Sequence, residues 1–329
     1  MIFFENVSKE YEKGKPVVSN VNLEIKDGEF FVFIGPSGSG KTTTLKMINR
    51  LIPLTSGFIR IDGKPISDYN LQELRWNIGY VLQQIALFPN MTVEENITIV
   101  PEMKKWSKEN MQNRVTELLD SVGLEPEAYR NRKTSELSGG EQQRIGVIRA
   151  LAANPDIILM DEPFSALDPI SKQNLQRDVA KLQKKLNKTV VFVTHDMQEA
   201  LALGDRICLM NNGKIEQIGT PDEIRKHPKN DFVRNFLQTG ISDFKETPTI
   251  QQMLATGKLE AGEAVEGMGP YLSPKDTVDA LVVALAIEEF VIIKENEGNV
   301  IGKITKQQLL NYLAQEIQTE QESVVNEYE

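Results

Sequence analysis

Residues 35 to 43 read Gly35, Pro36, Ser37, Gly38, Ser39, Gly40, Lys41, Thr42 and Thr43. A plain turn needs one glycine, and it needs neither a lysine nor the hydroxyls that follow. Glycines at this density let successive backbone N–H groups turn inward around an anion, and a helix starting at Lys41 aims its positive dipole end at the same point. The Gly-x4-Gly-Lys-Thr spacing predicts a phosphate-binding loop. Lys41 is placed to reach the β- and γ-phosphates of a nucleoside triphosphate, and the Thr42 hydroxyl to hold Mg2+. Asp161 and Glu162 close the apolar run 157–160 and supply the complementary chemistry. Asp161 is expected to hold Mg2+ and Glu162 to orient or deprotonate the attacking water. Together the two motifs predict hydrolysis or phosphoryl transfer from a triphosphate.

A third motif lies between them. In Leu-Ser-Gly-Gly-Glu, residues 137–141, Ser138 stands three residues before Glu141. That spacing is a capping box, so a helix should begin here with Ile145, Ile148 and Leu151 on one face. Gly139 and Gly140 would expose backbone amides at its positive end and form a second anion site. One triphosphate does not need two such sites from one chain. The economical arrangement is a head-to-tail homodimer in which each subunit offers this helix end to its partner's γ-phosphate.

The elements that must position these groups follow from apolar patterning. Phe30–Ile34 is a continuous apolar run that fits a buried strand, and Leu45, Ile48 and Leu51 have helical spacing after the loop. Ile157–Met160 reads as a second buried strand. On such a strand adjacent residues face opposite sides, so Asp161 and Glu162 are expected to point apart.

These motifs together resemble the ATP-binding subunit of an ABC transporter. Residues 35–42 resemble its Walker A motif, 157–162 Walker B, and 137–141 the signature, over residues 1 to about 237. The resemblance implies that Tyr11 stacks on adenine and that Gln83 is the Q-loop glutamine, a Mg2+ ligand at a hinge. It also implies that Asp168 belongs to the D-loop and that His195 is the switch residue holding the γ-phosphate and Glu162. Catalytic roles therefore fall to Glu162, His195 and Gln83, and ATP and Mg2+ are the implied cofactors. Glu141 departs from the commoner Gln, and its charge near a partner phosphate is expected to slow hydrolysis. Residues 91–124 read as helical and fit the family's helical subdomain, about 90–150, which sits against a permease. The implied fold is α/β, a P-loop NTPase of the ABC type.

The chain has 329 residues, 40% of them hydrophobic, one cysteine, and a net charge of −10. No apolar run approaches the roughly 20 residues that cross a bilayer, and one cysteine allows no internal disulfide. Residues 239–329 hold six lysines, no arginine and sixteen acidic residues, so they carry all the net charge. Residues 1–238 balance 31 basic against 31 acidic residues, so neither part has a basic excess, which argues against a nucleic-acid partner. Residues 238–249 read as a linker.

In residues 250–329, Ser273 with Pro274 is expected to open a helix over 273–290. Residues 290–293 and 300–305 should form a hairpin, followed by a helix over 306–317. This order resembles one CBS repeat, a small α+β regulatory or dimerisation domain with a cyclic dinucleotide as a candidate ligand. A motor with such a tail resembles the osmoprotectant group, which imports glycine betaine, choline or carnitine. The resemblance implies a permease, an extracellular substrate-binding protein, and a peripheral place on the cytoplasmic face of a bacterial membrane. Three alternatives stay open: another betaine-like solute such as ergothioneine, a soluble ABC ATPase acting on ribosomes or DNA, and a metabolic kinase.

Overall fold

The computed structural model describes residues 1–241, 249–255, 270–294 and 300–312. Its contacts divide the chain into two units, Met1–Ile241 and Ser242–Glu329.

The first unit opens with β1 (Ile2–Glu12), β2 (Lys15–Ile25) and β3 (Phe30–Ile34), and then α1 (Lys41–Ile48). Next come β4 (Ser56–Ile61), β5 (Lys64–Pro65), α2 (Leu71–Trp76) and β6 (Ile78–Val81). A helical stretch follows: α3 (Val93–Met103), α4 (Lys108–Ser121), α5 (Pro126–Tyr129) and α6 (Gly139–Leu151). The chain returns through β7 (Ile157–Asp161), α7 (Pro169–Leu186), β8 (Thr189–Thr194), α8 (Met197–Leu203), β9 (Arg206–Asn211) and β10 (Lys214–Gly219). The unit closes with α9 (Pro221–Lys226) and α10 (Asp231–Ile241). Among the described residues no helix is long and apolar enough to cross a membrane.

Two sheets result. The larger has strand order β10-β9-β3-β8-β7-β6, parallel throughout except for the β9–β10 pair. The smaller is antiparallel, in the order β2-β1-β4-β5. β3 shows why an unbroken apolar run was needed. Phe31 and Phe33 join the core that includes Ile2, Leu45 and Ile59, whereas Phe30, Val32 and Ile34 join the core of the helical side. Successive side chains of a strand alternate faces, and both faces of this one are dry. The helix after the loop is shorter than the spacing implied. It ends at Ile48, and Leu51 lies beyond it, exposed.

In the second unit α11 (Ile250–Ala255) and β11 (Tyr271–Leu272) precede α12 (Val278–Ile287), β12 (Phe290–Lys294) and β13 (Val300–Thr305). β12 pairs antiparallel with β13 and parallel with β11. Helix α12 starts later than the sequence suggested. Ser273 and Asp276 close a turn on each other, and Thr277 is the N-cap, accepting from the Ala280 N–H at 3.3 Å. The Ser273 hydroxyl accepts from the Lys275 N–H at 3.3 Å inside that turn, so it serves the turn and not the helix start. The expected linker overlaps the end of α10 at 238–241, and 242–248 lie outside the described residues. The expected hairpin turn at 295–299 and helix residues 313–317 lie outside them too, while 306–312 are helical.

Candidate active site

The phosphate-type loop hangs between the last residue of β3 and the first of α1. Gly40 caps the helix with φ of 98°, in the left-handed region, and a Cβ there would stand 2.7 Å from the Val17 carbonyl. Only glycine fits that backbone and that gap. No side chain caps α1, and its first turn holds no acidic residue. Ser39 and Lys41 are buried, Pro36, Thr42 and Thr43 half-buried, and Ser37 exposed. The Lys41 ammonium donates to the Gly35 carbonyl at 2.7 Å and the Pro36 carbonyl at 2.9 Å. Burial lowers the Lys41 pKa, against the pull of Glu162 and Asp161. The Ser39 hydroxyl is buried and has no hydrogen-bond partner among the described residues. A buried cation held by two carbonyls, beside an unsatisfied hydroxyl and an open helix end, forms a cradle suited to an anion.

Asp161 is buried at the tip of β7. Its Oδ1 accepts from the Thr42 hydroxyl at 2.7 Å and its Oδ2 from the Tyr80 hydroxyl at 3.3 Å; the Lys46 ammonium lies 3.5 Å from Oδ2. Burial and the Asp161 charge push the Tyr80 phenol well above its usual range. Lys46 and Tyr80 were missed in the sequence. Lys46 lies four residues after Thr42 on one helix face, a usable signal, but Tyr80 meets Asp161 only through the β6–β7 pairing.

Glu162 corrects an expectation. It does not continue the strand alternation: it is the first residue past β7, with φ of 44°, and its N–H donates to the Val193 carbonyl at 3.0 Å. The left-handed turn, not the pleat, separates it from Asp161. Its Oε2 lies 3.0 Å from His195 Nδ1 and accepts from Gln83 Nε2 at 3.3 Å. Three residues from three separate loops thus meet at one carboxylate oxygen.

Tyr11 is exposed, and the Lys9 ammonium lies 4.9 Å from its ring centroid. It stands near the end of β1, between Glu10, which pairs with Pro16, and Glu12, which pairs with Lys15.

Ser138 caps α6. Its hydroxyl accepts from the Glu141 N–H at 3.4 Å and donates to Glu141 Oε2 at 2.8 Å, and its own N–H donates to that oxygen at 2.7 Å. The second Glu141 oxygen accepts from the Tyr129 hydroxyl at 2.5 Å. Tyr129 and the Ser138 backbone hold the Glu141 carboxyl below its usual range. A Cβ on Gly140 would lie 3.3 Å from the Ser171 hydroxyl, so this helix end abuts the first turn of α7. There Asp168 is the N-cap, accepting from Ile170 N at 3.1 Å and Ser171 N at 3.0 Å. Among the described residues no hydrogen bond or ion pair joins 138–141 to 35–43.

Among the described residues no cluster of three or more His, Cys, Asp or Glu could hold a metal alone. Thr42, Asp161 and Gln83 offer a hydroxyl, a carboxylate and a carboxamide. Such an all-oxygen set suits Mg2+, which keeps most of its shell as water and phosphate oxygens.

Comparison with known proteins agrees with this geometry. Residues 18–165 match the family model described as "ABC transporter". The chain is 51% identical over 292 residues to the choline transport ATP-binding protein OpuBA of Bacillus subtilis, covering 86% of this chain and 75% of that one. It is 57% identical over 286 residues to the glycine betaine/carnitine/choline transport ATP-binding protein OpuCA of the same organism, with the same coverage. Among solved structures, the dimeric structure of MJ0796, a bacterial ABC transporter cassette, superposes with a TM-score of 0.61 at 40% identity. That match spans 67% of this chain and 99% of the other.

Proposed function

The chain belongs to the ABC transporter ATP-binding family, and from that footing we propose that it powers import of a quaternary amine of the glycine betaine, choline or carnitine type. The observation that carries the catalytic part is the convergence of Gln83 and His195 on Glu162, beside the cradle of Lys41 and the uncapped α1. In this reading the loop amides and Lys41 bind the β- and γ-phosphates of ATP, and the base stacks on Tyr11. Glu162 takes the proton of the attacking water, leaving ADP and phosphate, while His195 and Gln83 fix the carboxylate. Thr42, Asp161 and Gln83 would hold Mg2+, which neutralises phosphate charge when bound.

Two copies pair head to tail, so that Ser138, Gly139 and Gly140 of one face the γ-phosphate bound by the other, with Asp168 at the seam. The relatives' names, which are those of transport ATP-binding proteins, support a membrane permease as partner; the reading adds a solute-binding protein beyond it and a place on the cytoplasmic face of the membrane. Extraction in mild detergent with the chain as bait tests this: a polytopic membrane protein should co-purify. Recovery of ribosomes or DNA instead would overturn the transport reading.

The charge split suggests how the motor is regulated. A tail of net −10 on a neutral motor is repelled by an anionic bilayer over a Debye length that falls from ~30 Å at 0.01 M salt to ~8 Å at 0.15 M. ATPase activity of the reconstituted complex should therefore rise with ionic strength, and deleting residues 245–329 should flatten the curve. Identical salt curves would sink this control, and saturable inhibition by a cyclic dinucleotide would replace it.

A further inference from the structure

A partly buried ionic cluster stands directly behind His195, with Glu199 its buried member. Lys172, one turn into α7, bonds Asp196 Oδ2 and lies 2.8 Å from Glu199 Oε1. The other Glu199 oxygen accepts from the Thr194 hydroxyl at 2.6 Å, and that hydroxyl accepts from the Asp196 N–H at 3.0 Å. Asp196 Oδ1 caps α8, accepting from the N–H groups of Gln198 at 2.8 Å and Glu199 at 3.3 Å. Both sequence neighbours of His195 are therefore locked into the cluster. The Glu199 side chain is 5% exposed. The cluster shares a cavity of about 110 Å³ with Glu162, Phe164, Leu167 and His195.

Burying a carboxylate against a lysine gains little stability over packing apolar groups there, so the arrangement calls for another reason. Connectivity supplies one. The Lys172 N–H donates to the carbonyl of Asp168, the residue that caps α7, so one helical turn separates Asp168 from the ammonium. On the far side the Asp196 backbone leads straight into His195. The His195 ring is itself largely exposed and is held to the protein through Glu162. Among the described residues Glu162 is its one side-chain tether, and a ring so held points only as well as its backbone turn is fixed.

We propose that Lys172 is a positioning residue for ATP hydrolysis: it ties the turn bearing His195 to the first turn of the Asp168-capped helix and so holds the imidazole against Glu162. The proposal rests on the reading of His195 and Glu162 given above. Two segments that meet at the nucleotide site thereby move as one body, and a shift of Asp168 is passed to His195 through a single ammonium.

The test is steady-state ATP turnover of the full chain, with nucleotide affinity and thermal stability measured beside it. K172M should lower kcat by about tenfold or more while KM stays within about twofold, since misplacing a group near the reacting atoms costs rate rather than binding. K172R, which keeps the charge and the reach, should restore most of kcat. K172M also leaves Glu199 unpaired, so the K172M/E199Q double variant is the control for folding. Its stability should recover while its turnover stays as low as that of K172M. Recovery of turnover together with stability would show a purely structural ion pair and overturn the proposal, as would wild-type kcat in stable K172M. H195A run in parallel separates the two readings. Wild-type turnover in H195A would sink the His195 assignment itself, whereas an inactive H195A beside a fully active K172M sinks only the role of Lys172.

Discussion

Helices α1 and α6 both begin at glycine-rich segments, yet their N-termini are finished in opposite ways. α1 has Gly40 as its cap, no side-chain acceptor and no acid in its first turn. α6 has Ser138 and Glu141 closing on each other, with Tyr129 bonded to the outer oxygen. The difference separates a site that is incomplete without its ligand from one that is complete alone. At α1 a phosphate supplies the acceptors that the chain withholds. At α6 the chain has already supplied one, and a phosphate arriving there meets a hydroxyl donated to Glu141 and a fixed negative charge. What remains for it are the amides of Gly139 and Gly140, which donate to no other group among the described residues. Under the proposed pairing, α1 is the end that holds the nucleotide within one chain and α6 the end that engages it only when two copies close.

The largest expected effect isolates the closed state in which both helix ends are engaged. Glu162→Gln keeps the shape and loses the base, so ATP should still bind while turnover falls by about 10²–10⁴-fold. A trapped ATP-bound dimer, seen by size-exclusion chromatography, would confirm it, and wild-type turnover would refute it. Next, Thr43→Glu gives α1 the device that α6 owns, an acid at the third helical position. Its charge within several ångströms of bound phosphates should weaken ATP binding by about 100-fold, measurable by calorimetry. Unchanged affinity would break the contrast between the two ends.

Ser138→Arg should leave ATP binding intact in each chain yet block hydrolysis, because the damage falls on the partner's site. Mixing it with Lys41→Ala chains should restore about one working site per heterodimer, and no recovery would count against the shared site. The smallest effect runs the other way. Glu141→Gln keeps the capping hydrogen bonds and removes the charge, so hydrolysis should rise by about two- to fivefold, as expected for a screened contribution of up to ~1 kcal/mol. A fall in activity would mean that the charge helps hold Ser138 more than it repels phosphate.

Much of this site was legible because its chemistry is local. The loop 35–43, the capping box at 138–141 and the buried run 30–34 are each written within a few consecutive residues, and their physics needs nothing distant. The contact of Glu162 with His195 came from family resemblance, since no spacing within the chain implies it; the resemblance made Gln83 a Mg2+ ligand and did not give its bond to Glu162. What escaped was set by tertiary geometry. The left-handed turn at Glu162 depends on the Val193 carbonyl, and Tyr80 reaches Asp161 only across paired strands. Lys172 has no local signal either, because its partners Asp196 and Glu199 come from the start of α8. Leu51 and Ser273 misled for a simpler reason: helical spacing and a Ser-Pro pair are each compatible with a turn, and the turn won in both places.

The pairing of β3 has a consequence for how the molecule is made. Its two neighbours are β8 and β9, so Phe30 meets Val190 and Ile34 meets Leu209. A ribosome adding roughly 5–20 residues per second leaves that strand waiting on the order of 10–30 s for either neighbour to emerge. Throughout that interval an aromatic, wholly apolar segment has neither edge paired. The nucleotide-binding loop, although encoded near the start of the chain, is therefore completed only once β8 and β9 have emerged. Nascent chains halted before residue 190 should expose that segment to chaperones, and chains released past residue 211 should hide it.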